Sequence, residues 1–134
     1  MKVLVIDGQG GGVGRVLVEQ LKTARPDLEI TAVGTNALAT AAMLKAGAGA
    51  GATGENAVKY NCARTDVIAG PIGLIFPNSL LGEITVQMAA AVSCSDAHKV
   101  LIPHAKFHAK IVGLQEKPLS QYIAEAVDAI CALG

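Results

Sequence analysis

Val3 to Ile6 is an unbroken run of β-branched and Leu residues that ends at Asp7, and the next seven residues, GQGGGVG, hold five glycines before apolar residues resume at helical spacing. Few folds accommodate such an opening. Apolar residues in succession rather than alternation mark a strand covered on both faces, as in a parallel sheet. Val13, Leu17 and Leu21, with Val16 and Val18 beside them, predict a helix that ends near Pro26 and leaves Arg15, Glu19 and Lys22 on its surface. A glycine turn between a buried strand and a helix has a physical use. Glycine permits a left-handed turn and close backbone approach, and the unpaired N–H groups at the helix start face an anion.

The rest of the chain continues the alternation. Glu29 to Gly34 reads as a second strand, and Asn36 as the N-cap of an Ala-rich helix that Gly47 stops. Strand, helix and strand within the first 34 residues have the length of a right-handed βαβ crossover. GAGAGATG, residues 47–54, predicts a short third strand ending near Ala52, after which Thr53 or Asn56 starts a helix running to about Cys62. Asp66 to Ala69 reads as the fourth strand, stopped by Gly70 and Pro71; GPIGLIFPNSLLGEI is then a long loop with one turn of helix, leading into a helix from about Glu83 to Val92. His98 to Ile102 reads as the fifth strand, Lys110 to Leu114 as an edge strand, antiparallel in sense, and Pro118 introduces a last helix with Leu119, Ile123, Val127 and Ile130 on one stripe. This pattern predicts a single three-layer αβα sandwich, Rossmann-like, with a mostly parallel sheet of five or six strands and one domain spanning residues 1–134.

The glycine spacing is informative in detail. Gly8, Gly12 and Gly14 fit G-x-x-x-G-x-G, whereas Gln9 stands where the first glycine of G-x-G-x-x-G belongs if Gly11 and Gly14 are the others. The first spacing resembles the cofactor loop of short-chain dehydrogenases and reductases. That resemblance stops near residue 35: the tyrosine-and-lysine pair of those enzymes has no counterpart, since Tyr60 is followed four residues on by Arg64 and Tyr122 by Ala126. A P-loop is disfavoured, because Gly14 is followed by Arg15 and Val16 rather than Lys and a hydroxyl. The acid that usually holds an adenosine ribose after the second strand is replaced by Gly34, Thr35 and Asn36, which speaks against ordinary NAD specificity and leaves NADP or another nucleotide, with Arg15 the nearest cation.

Loops after parallel strands meet along one rim. The candidate ligand-binding residues are therefore Gly8, Gln9, Gly10, Gly11, Gly12, Val13, Gly14 and Arg15, joined by Thr35, Asn36, Thr53, Asn56 and Asn78. Glu55 and Glu83 are the candidate acids or bases on that rim, and neither has a partner visible in the sequence. Cys94 with His98, and His104 with His108, do not supply the three or four convergent ligands of a metal site; His98 reads as a helix cap, and His104, Lys106 and His108 as polar residues of a turn.

Composition bounds the partners. Eleven basic residues balance eleven acidic ones, so nothing forms a basic footprint for nucleic acid, and a near-neutral surface favours a homodimer or larger homo-oligomer. The amino terminus breaks into Asp7 and glycine before a secretory or membrane-spanning stretch is complete, which predicts a cytoplasmic protein with no membrane partner. Cys62, Cys94 and Cys131 form no paired spacing and read as reduced, mostly buried thiols.

Taken together, IDGQGGGVG, the run GTNALATAAMLKAGAGAGATGENA, GPIGLIFPNSLLGEIT and LIPHAKFHAKIVG resemble a small family of short bacterial proteins of unknown function, over essentially the full length. The resemblance implies a single domain and brings no catalytic residues with it. The leading expectation is a nucleotide- or dinucleotide-binding protein, in the form of a small NAD(P)-dependent oxidoreductase that completes its site across an oligomer interface. The rivals are a non-enzymatic interaction protein that uses Ile72 to Leu81 as its contact, and a transferase or lyase acting on a phosphorylated metabolite.

Overall fold

The computed structural model describes residues 1–104 and 109–134. The elements are β1 (Lys2–Asp7), α1 (Gly12–Ala24), β2 (Glu29–Gly34), α2 (Ala37–Lys45), β3 (Ala50–Thr53), α3 (Glu55–Cys62), β4 (Val67–Pro71), a 3-10 turn at Ile72–Ile75, α4 (Val86–Cys94), β5 (His98–Ile102) and α5 (Leu119–Cys131). The sheet has the order β3-β2-β1-β4-β5 and every neighbouring pair is parallel. β1 lies in the middle, with Val3 in register with Ile30 on one side and Val67 on the other.

The continuous apolar run of β1 has the meaning its sequence suggests. Val3 and Val5 pack with Leu17, Leu21, Met43 and Ile130 of α1, α2 and α5, while Leu4 and Ile6 pack with Val58, Met88 and Val92 of α3 and α4. Alternate residues thus serve opposite layers, and the result is a Rossmann-like three-layer α/β/α sandwich. The glycines of residues 47–54 also find a use, since a Cβ on Gly51 would lie 2.9 Å from Leu44 Cγ, so a bare strand lets α2 sit close to the sheet edge.

Several boundaries differ from expectation for local reasons. α4 starts at Val86 and not Glu83, because the Thr85 hydroxyl accepts the Met88 N–H as N-cap and the preceding residues turn the other way, with Gly82 at φ 89°. α3 follows Gly54; Thr53 ends β3, and Asn56 falls inside the first helical turn. His98 opens β5, and the residue that closes α4 is Ser95. Lys110 to Leu114 is not a strand: Gly113 is left-handed at φ 84°, a turn joins Ile111 O to Leu114 N–H, and Val112 is 91% exposed. A strand needs a neighbouring edge, and this segment has none among the described residues. Lys106 and His108 lie outside the described residues, as does the greater part of the expected turn. Cys62 is buried and Cys131 half-buried, but Cys94 is exposed, against the expectation for that thiol. Among the described residues no helix is long and apolar enough to cross a membrane.

Candidate functional site

The chain moves from β1 to β2 and β3 in one direction, then returns to place β4 on the opposite side of β1. A crevice opens where the strand order reverses, at the carboxyl ends of β1 and β4, and the glycine loop borders it.

Asp7, the last residue of β1, is 5% exposed and organises the loop. Its Oδ1 accepts the Gly8 N–H at 2.8 Å and its Oδ2 the Gly14 N–H at 2.6 Å, so one carboxylate joins the start of the loop to the first turn of α1. Burial raises its pKa above the ordinary value of 3.8; the two amide bonds and His104 oppose the shift, and the neighbouring Glu83 adds to it. Between these anchors Gly11 N–H donates to Gly8 O, and Gly11 itself is left-handed at φ 72°. Gln9 is held from outside. Its N–H donates to Glu83 Oε1 at 2.6 Å, and its carbonyl accepts from Asn36 Nδ2 at 2.9 Å. Asn36 Nδ2 also donates to Glu83 Oε2 at 2.7 Å, while Asn36 Oδ1 caps α2 by accepting the Ala39 N–H.

Three amides remain. The N–H groups of Gly10, Gly12 and Val13 have no partner among the described residues, and these residues line a cleft of about 190 Å³. Pro71 at the end of β4, His104 just past β5 and Leu119 at the start of α5 form its opposite wall. Larger hollows lie elsewhere, away from the glycine loop: one of about 430 Å³ beside β5 and α5, where Lys117 is bound to Glu125 and the Tyr122 hydroxyl donates to Gln115 O, one of about 480 Å³ between α3 and α4, and one of about 300 Å³ between α1 and α5.

The five loop glycines separate into two groups. A Cβ on Gly8 would lie 2.8 Å from Thr35 Oγ1 and 2.9 Å from Leu80 Cδ1; on Gly11, 2.9 Å from Ala39 Cα; on Gly14, 2.6 Å from Met43 Sδ. Packing alone requires these three to be glycine. Gly10 and Gly12 have nothing within 4 Å of an added Cβ, so packing does not account for their lack of a side chain.

Not every residue read from the sequence converges here. Thr35 borders the loop, its N–H donating to Asp7 O and its buried hydroxyl oxygen without a partner among the described residues. Arg15 pairs with Glu19 on the outer side of α1, Thr53 bonds Thr40 at the sheet edge, and Asn56 and Asn78 are exposed; none of these four lines the cleft. Glu55 accepts the Thr85 hydroxyl at 2.5 Å, a tie between the starts of α3 and α4. Ile72 to Leu81 is partly built into the fold: Leu74 is in the core, Ile75 and Leu80 pack against it, and Leu81 is exposed. Asp7 and His104 are the residues that the sequence reading passed over as site members. The available signal was position, since Asp7 ends β1 and His104 stands two residues past the end of β5 on the same rim.

Comparison with solved structures finds likeness in chain path. Apo saccharopine dehydrogenase (L-Glu forming) from Saccharomyces cerevisiae superposes with a TM-score of 0.48 and 19% identity over 78% of this chain and 22% of that one. This chain thus spans about a fifth of the dehydrogenase's length. A dodecameric FMN-dependent Ubix-like decarboxylase from Escherichia coli O157:H7 gives a TM-score of 0.48 and 15% identity over 99% of this chain and 93% of that one. No residue role is taken from either. No curated protein matches the sequence. The model of one family, described as "Domain of unknown function (DUF3842)", matches residues 2–133, and the chain belongs to that family.

Proposed function

We propose that the loop from Gly8 to Gly14 binds the phosphate of a nucleotide or another phosphorylated small molecule. One observation carries this reading: Gly10 and Gly12 are bare without a packing reason, and with Val13 they line the cleft at the start of α1, their N–H groups without a partner among the described residues. A side chain at either position would stand between those donors and an anion. Unpaired N–H groups at a helix start are the natural partners of phosphate oxygens. NADP is the first cofactor to try, since the end of β2 offers Thr35 and Asn36 in place of a ribose-binding acid. A small oxidoreductase and a transferase or lyase on a phosphorylated metabolite are both uses of the same anion site.

The test is thermal stabilisation by pyrophosphate, glycerol 3-phosphate, NADP, NAD, ATP and FMN, measured on the wild type and on Gly12→Leu. The wild type gains stability with at least one of them; Gly12→Leu folds with an unchanged melting temperature and loses the response. If none stabilises the wild type, the reading fails. Association of copies belongs to the same reading, given a chain with no net charge. Sedimentation velocity showing a monomer at working concentration would remove that part of it.

A further inference from the structure

The β2 side of the glycine loop is filled by the chain's own side chains. In doubly wound sheets the pyrophosphate sits on the first helix, and the adenosine ribose lies beside the end of the second strand. The corresponding space here lies between Gly8–Gln9 and Thr35–Asn36. Glu83 is delivered into it by the turn before α4, in which Asn78, Leu80 and Leu81 take φ values of 66°, 54° and 55°. Asn78 N–H donates to Ile84 O at 2.6 Å and Ile84 N–H to Ser79 O at 3.2 Å, which closes the turn and fixes where Glu83 leaves it.

Both oxygens of the Glu83 carboxylate are engaged, one by the Gln9 amide and the other by Asn36 Nδ2. Asn36 Nδ2 also reaches Gln9 O, so the two side chains clamp the outer part of the loop from the end of β2. Leu80 completes the filling: its Cδ1, Thr35 Oγ1 and Glu83 Oε1 all stand within 2.9 Å of a Cβ placed on Gly8. The residues of the free amides, Gly10, Gly12 and Val13, line a cleft that Leu80 borders and that Pro71, His104 and Leu119 wall on the side of β4 and β5. The cleft there, about 190 Å³, is below the roughly 300–1,000 Å³ of pockets that take drug-sized ligands.

We propose that Glu83 bars a nucleoside from the glycine loop, so that the ligand is a compact phosphorylated molecule whose remaining part lies between Pro71, His104 and Leu119. This rests on the phosphate-binding reading and narrows it. A carboxylate side chain in that space excludes a ribose by occupying its volume, which is specificity by exclusion of the wrong ligand.

Calorimetric titration of the full chain with pyrophosphate, glycerol 3-phosphate, ADP and NADP tests it, on the wild type, Glu83→Ala and Glu83→Gln. The wild type binds pyrophosphate or glycerol 3-phosphate and takes ADP no more tightly. Glu83→Ala tightens ADP by about tenfold or more while pyrophosphate changes by less than about threefold, and Glu83→Gln, which keeps the volume, leaves ADP weak. ADP or NADP binding the wild type at least about tenfold more tightly than pyrophosphate overturns the proposal and leaves the phosphate reading standing. Loss of ADP affinity in Glu83→Ala also overturns it, because Glu83 would then be a ribose ligand. Failure of all four probes with all three proteins removes the phosphate reading itself.

Discussion

Gly14 and Gly12 are two residues apart and predict opposite phenotypes. Gly14→Ala puts a methyl 2.6 Å from Met43 Sδ and 2.9 Å from Asp7 Cβ, an overpacked site that costs about 1–3 kcal/mol in urea denaturation. A Cβ at Gly12 meets nothing within 4 Å, so Gly12→Leu is predicted to act on ligand response and not on stability. Asp7 carries a pH signature. Its folded pKa is raised above the ordinary 3.8, so the folded state holds its proton more tightly than the unfolded chain does. Its contribution to stability is therefore fully present below that value and is lost as pH rises through the raised one. A plot of melting temperature against pH falls across this window in the wild type, and the fall is absent from Asp7→Asn, which does not titrate. The same proton matters for anions: sulfate, whose own charge is constant in this range, binds more weakly as Asp7 ionises. At this scale the sequence showed the glycines but not their division of labour, because spacing does not reveal which absent side chains would collide. Glu83 was legible as a rim acid. Its bonds to Gln9 and Asn36 span 74 and 47 residues, which no local pattern encodes.

At the scale of elements, hydrophobic patterning identified β1, β2, β4, β5, α1, α4 and α5, whereas α2, α3 and β3 were legible from their caps and glycines. It failed at Lys110 to Leu114, where KIVGL has the composition of a strand but Gly113 turns the backbone and no strand among the described residues pairs with it. The start of α4 was misplaced for a related reason: the apolar stripe extends back to Ile84, and only the cap at Thr85 shows where helical geometry begins. The packing of α3 against α4 distinguishes two thiols that look alike in sequence. Burial pushes the Cys62 thiol up to about 11, with Lys99 opposing the shift, while Cys94 is exposed on α4. Iodoacetamide at neutral pH modifies Cys94 and spares Cys62 in the folded protein, and mass spectrometry of peptides after timed labelling reads the difference. Equal labelling of the two would contradict the packing of α3 on α4.

For the whole molecule, strand order decides where a site can be. With β1 between β2 and β4, the crevice at their carboxyl ends is the place where a parallel sheet offers a ligand backbone donors with no strand above them. The fold class was legible from the first 34 residues, since buried strand, glycine turn, helix and second strand leave few alternatives. What the cleft accepts was not legible, because it depends on a turn of left-handed residues that carries Glu83 back across the sheet. The central claim is that the Gly10, Gly12 and Val13 amides are the donors to a bound phosphate. An amide-resolved NMR titration of the full chain with pyrophosphate tests it most directly. The account predicts saturable shifts largest at Gly10, Gly12 and Val13, with smaller ones at Gly8 and Gly14, whose N–H groups stay on Asp7; no shift at the three open amides, or shifts centred elsewhere on the protein, would contradict it.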